Sequence, residues 1–99
     1  MSEDRSRTQI VVVKQGRSSA DLPGEVVILN EEQGGYFGLS GVGARVWKLI
    51  QRPQTIEKIV NTLIREYDVD RQRCRRDVEE LLEDMASSGL VAFKNETAD

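Results

Sequence analysis

The chain has no histidine, one cysteine and two prolines among its 99 residues. Without histidine, neither a Ser-His-Asp nor a Cys-His arrangement can form. One cysteine excludes a disulfide within the chain. It also leaves a zinc ion only carboxylates and a single thiolate, a donor set that structural zinc sites do not use. The glycines at 34, 35, 38, 41 and 43 lack the lysine of a phosphate loop and the βαβ unit of a dinucleotide fold. No apolar run approaches the ~18 residues of a spanning helix, and Met1 to Thr8 carries no apolar signal segment. These absences predict a cytoplasmic protein that is not an enzyme, with no metal and no cofactor.

The formal charge of -3 argues against a protein that coats nucleic acid or an anionic membrane through bulk charge. Apolar residues make up 38% and charged residues 31%, a balance that suits one soluble domain with a modest core. The domain is expected over residues 9–93, with polar, disordered tails over 1–8 and 94–99.

The chain is best read outward from Gly34-Gly35-Tyr36-Phe37-Gly38-Leu39-Ser40. Two glycines leave a turn, strand character follows, and Ser40 is an N-cap candidate before a helical run. Gly38 within that strand points to a bulge or to another backbone coming close. Upstream, Ile10 to Val13 and Val26 to Leu29 are apolar, β-branched strand segments. Ser18 to Gly24 reads as a loop closing on a Pro-Gly turn, and Asn30 to Gly35 as a hairpin loop.

After Ser40 the apolar period becomes helical. Val42, Val46, Leu49 and Ile50 share a face, with Trp47 at its edge, until Arg52-Pro53. Thr55 caps a second run in which Ile56, Ile59, Val60, Leu63, Ile64 and Tyr67 form one stripe. Asp70 caps a third, whose stripe is Cys74, Val78, Leu81, Leu82 and Met85, with Gly89 at the C′ position. The expected fold is α+β and winged-helix-like: a three-stranded antiparallel sheet followed by three helices, the third strand on an exposed edge.

Arg71, Arg73, Arg75 and Arg76 crowd the start of the third helix, where the macrodipole disfavours cations. At about 100° per residue, Arg71 and Arg75 flank the apolar stripe while Arg73 and Arg76 point away. Cys74 falls on the stripe and reads as a small buried hydrophobe. Glu79, Glu80, Glu83 and Asp84 read as an ordinary solvated face.

Several pieces carry a family resemblance: Val27-Ile28-Leu29-Asn30, Gly35-Tyr36-Phe37-Gly38-Leu39, Val42-Gly43-Ala44-Arg45-Val46-Trp47, Tyr67-Asp68-Val69-Asp70, Arg76-Asp77-Val78 and Ser88-Gly89-Leu90-Val91. Together they resemble the PqqD-like family, and within it the small stand-alone proteins of lasso peptide clusters. The resemblance implies a recognition element that captures the leader of a ribosomally made precursor peptide and presents it to a leader peptidase and a macrocyclase. It further implies that the leader adds as a strand along Gly35, Tyr36, Phe37, Gly38 and Leu39. The rest of the cleft would come from the third helix: Arg71, Cys74, Arg75, Val78, Leu81, Leu82 and Met85. An exposed edge beside an apolar groove suits that mode of binding. The alternative is a winged-helix DNA-binding regulator with the third helix in the major groove and the arginine cluster at its N-terminal end, against which the acidic balance and the acidic residues along that same helix count.

Overall fold

The computed structural model describes residues 9–95; the calls on 1–8 and 96–99 lie outside the described residues. In chain order the elements are β1 (Gln9–Val13), β2 (Arg17–Leu22), β3 (Glu25–Asn30), β4 (Gly35–Ser40), α1 (Gly41–Leu49), β5 (Gln54–Thr55), α2 (Ile56–Glu66), α3 (Arg71–Ser87) and β6 (Val91–Asn95). They form two antiparallel three-stranded sheets, ordered β2-β3-β4 and β5-β1-β6, around three helices. The α+β expectation of a three-stranded sheet followed by three helices is met.

The membership of that sheet differs from the sequence reading. Arg17–Leu22 is a strand, although Arg-Ser-Ser-Ala-Asp-Leu shows no apolar alternation and is mostly exposed. Pairing with β3 outweighs its weak strand propensity. The Pro23-Gly24 turn is as expected, with Gly24 in the left-handed region at φ +76°. Ile10 to Val13 instead lies at the centre of the other sheet, between β5 and β6. The expected tail beginning at Lys94 is also shortened, because Val91–Asn95 pairs along the whole of β1.

Helix boundaries follow their caps. The Thr55 side chain accepts from the Lys58 N–H and that of Asp70 from the Arg73 N–H, satisfying orphan donors of α2 and α3. Ser40 occupies the cap position of α1 without a side-chain cap bond. Helix α3 ends in a Schellman motif: Leu90 N–H donates to Met85 O (2.9 Å), Gly89 N–H to Ala86 O (3.0 Å), and Gly89 takes φ +78°. Arg45 holds α1 to α2 through a bidentate pair with Glu66 at 2.8 and 2.6 Å. That bond pushes the Arg45 pKa up and holds the Glu66 carboxyl below the usual carboxylate range.

The core lies between the inward faces of both sheets and the apolar stripes of the helices. Val26, Ile28 and Leu39 enter it from β3 and β4, Val11 from β1, and Val78, Leu82 and Met85 from α3. Leu82 is 0% exposed. Leu82→Ala should therefore cost about 2–5 kcal/mol of stability, measured by urea denaturation followed through Trp47 fluorescence. The half-buried Leu81→Ala should cost clearly less. Equal losses for the two would contradict this packing.

Candidate functional site

β4 pairs with β3 alone, over all six residues and without a bulge; among the described residues no strand lies on its other side. The direction of its free hydrogen-bonding groups follows from one bond. Glu31 N–H donates to Gly16 O, so the odd-numbered residues of β3 bond β2 and the even-numbered ones bond β4. In β4, Phe37 and Leu39 therefore bond β3. Tyr36, Gly38 and Ser40 turn their N–H and C=O groups to the open edge. The strand contains no charge and no proline, the devices that usually blunt an edge.

Side chains alternate at right angles to these bonds. Phe37 and Leu39 point inward, opposite Ile28 and Val26, whereas Tyr36 stands on the outer face and is 76% exposed. Of the two readings for Gly38, the bulge is excluded by the unbroken register, and the position a Cβ would occupy is open space.

Below the Leu39 end of β4 lies a cavity of about 550 Å³ between α1, the α2–α3 linker and α3. Val46, Leu63, Cys74 and Val78 form its buried floor; Val42, Val69 and Leu81 form its walls. Its mouth carries Asp68, Asp70 and Asp77 against one guanidinium, that of Arg73. Val42 and Val69 are 41% and 44% exposed, an unusual placement for large apolar side chains. Burial, helped by the Asp77 carboxylate and opposed by Arg71, pushes the Cys74 thiol up. The floor is therefore neutral at physiological pH. Among the described residues, no group of His, Cys, Asp and Glu could hold a metal ion.

The residues singled out from the sequence divide. Gly35 to Leu39 form the open edge, and Cys74, Val78 and Leu81 line the cavity. Leu82 and Met85 do not: both are 0% exposed and belong to the core. The arginines divide as well. Arg71 Nη2 donates to Asn61 Oδ1 on α2 at 2.7 Å, and Arg75 does not line the cavity, whereas Arg73 does. Relative to Cys74, positions 71, 82 and 75 lie at about 60–100° round the helix, the α2 flank; 73, 77 and 81 lie on the opposite flank, which faces the cavity. A stripe has two flanks, and its spacing cannot say which is open. Val69, an apolar residue between two aspartates in a linker, was the available signal for the wall and the mouth.

Residues 25–91 match the model of the family described as "Coenzyme PQQ synthesis protein D (PqqD)". A comparison with curated proteins gives no match. Among solved structures, "TbiB1 in Complex with the TbiA(beta) Leader Peptide" superposes with a TM-score of 0.78 at 35% identity, covering 89% of this chain and 99% of that one. "Lasso peptide synthetase B1 complexed with the leader peptide" has the same fold, with a TM-score of 0.75 at 21% identity over 83% of this chain and 96% of that one. The family match runs from β3 to the end of α3 and takes in the open β4 edge and the cavity, and with the 35%-identical relative it shows that the chain belongs to the PqqD family.

Proposed function

We propose that this protein is a non-catalytic leader-binding element: it captures the leader of a ribosomally synthesised precursor, of lasso peptide type, as an added strand on β4. The carrying observation is the uncharged, unpaired β4 edge beside an apolar cavity, in a chain 35% identical to a protein solved with a leader peptide. Tyr36, Gly38 and Ser40 supply the ladder bonds. An apolar leader side chain enters the cavity floored by Cys74 and Val78. Alternate leader residues emerge on the outer face beside Tyr36, where the leader peptidase and the macrocyclase of the pathway reach them.

Calorimetry with the TbiA(beta) leader tests the reading. Tyr36→Pro removes an outward N–H and should leave the fold intact while weakening binding at least about fivefold, the loss expected when a ladder bond goes and its acceptor is stranded. Phe37→Pro removes a bond to β3 and should lower stability itself. Unchanged affinity in a folded Tyr36→Pro variant contradicts strand addition. Duplex DNA binding with no leader binding favours the DNA-regulator reading instead.

The charge balance at the mouth gives a second outcome. Three carboxylates against one guanidinium favour a basic residue next to the leader's apolar anchor. Each exposed pair is worth roughly 0.2–1 kcal/mol. A leader with lysine at that position should bind more tightly than one with glutamate by about 1.5- to 5-fold, the difference shrinking as salt rises. Arg73→Glu should alter this preference and Arg75→Glu should not. The reverse pattern would place the leader on the α2 flank.

A further inference from the structure

Two pieces of the family resemblance, Asn30 and Ser88-Gly89, lie outside both the edge and the cavity, yet the fold brings them together. Asn30 is 5% exposed. Its Nδ2 donates to Ser88 O at 3.2 Å across 58 residues of sequence, while its Oδ1 accepts from the Glu32 and Gln33 N–H groups at 3.1 and 3.2 Å. Its own carbonyl accepts from Gly34 N–H at 2.6 Å. One residue thus ties the end of α3 to the turn that leads into β4, whose first residue, Gly35, is paired with Asn30.

Arg17 doubles the tie from β2. It is the strand partner of Asn30, and its side chain is 2% exposed. Nε donates to Gly89 O at 2.7 Å, Nη1 to Gln15 O at 2.5 Å and Nη2 to Glu32 Oε1 at 3.3 Å. A guanidinium at a helix C-terminus also meets the negative end of the dipole. The space is closed around both side chains: a Cβ on Gly89 would sit 3.2 Å from Asn30 Nδ2 and 3.7 Å from Arg17 Nη2.

We propose that Asn30 and Arg17 are positioning residues for leader capture, holding β4 at a fixed distance from α3 so that strand pairing and cavity filling occur together. The inference rests on the leader-binding reading. The clamp closes the β4–α3 pair at the Gly35 end, while the cavity opens at the Leu39 end. A leader residue bound on the edge and an anchor in the cavity are then held at one spacing. Without the clamp each half could still bind, but not in register, because the turn over residues 31–34 would no longer be fixed to the helix.

Asn30→Asp keeps the acceptor for Glu32 and Gln33 but sets a carboxylate oxygen against Ser88 O; Arg17→Lys keeps the charge but loses the fork. Each is compared with Val11→Ala or Val13→Ala, whichever lowers the melting temperature equally; both lie in β1, whose strand partners are β5 and β6. Affinity for the TbiA(beta) leader should fall at least tenfold in the clamp variants and less than twofold in the matched control. Without leader, the Phe37 and Leu39 amides should exchange at least tenfold faster in Asn30→Asp, with no change at Ile10 to Val12. Equal affinity losses in clamp and control variants, or unaltered exchange in β4, overturn the proposal. If the leader fails to bind wild type, the functional reading falls, and the exchange rates still decide whether the clamp controls β4.

Discussion

The carbonyls of residues 88–90, in the turn that follows α3, take their partners from distant strands, and the way the fold satisfies them organises both sheets. Ser88 O receives Asn30 from β3, Gly89 O receives Arg17 from β2, and Leu90 O receives the backbone N–H of Lys14 at 3.0 Å, between β1 and β2. Leaving such groups buried and unpaired costs about 1–3 kcal/mol each, so the arrangement is strongly specified. It fixes the β2-β3-β4 sheet against one end of α3. The Gly89 turn then sends the chain into β6 and thereby into the second sheet.

That frame explains why the functional surface lies where it does. β3 is paired on both sides, so the sheet ends in two open edges, β2 and β4; β2 carries Arg17 and Asp21, whereas β4 carries no charge to blunt its edge. Its inward side chains anchor it in the core through Leu39, and Gly43 of α1 packs 3.3 Å from Leu39 measured to a would-be Cβ. The edge is therefore pre-formed, which limits the ordering cost when a peptide strand is added. Beyond Leu39 the cavity with its acidic mouth lies between α1, the α2–α3 linker and α3.

Much of this was legible in the sequence wherever a local rule decides. The 3.6-residue stripe of Ile56, Ile59, Val60 and Leu63, the caps Thr55 and Asp70, and the C′ glycine at 89 each act within one or two turns of chain, and each stands as read. What depends on a distant partner was not legible. β2 is a strand because β3 lies beside it, and Ile10 to Val13 joins a sheet whose other members come from residues 54–55 and 91–95. The candidate site shows the same division. Cys74, Val78 and Leu81 reach the cavity, but Leu82 and Met85 are covered by the core, and the choice between the Arg71–Arg75 flank and the Arg73 flank was made by where α2 packs. The clamp was invisible for the same reason: Asn30 reads as a loop residue until Ser88 is beside it.

The central claim is that a leader peptide becomes the fourth strand of the β2-β3-β4 sheet by backbone pairing with β4, and amide hydrogen exchange tests it most directly. On saturation with leader, the Tyr36, Gly38 and Ser40 amides should gain strong protection, because their N–H groups face the open edge, while Phe37 and Leu39, already bonded to β3, should change little. Protection confined to α3, or spread over odd and even residues of β4 alike, would contradict strand addition.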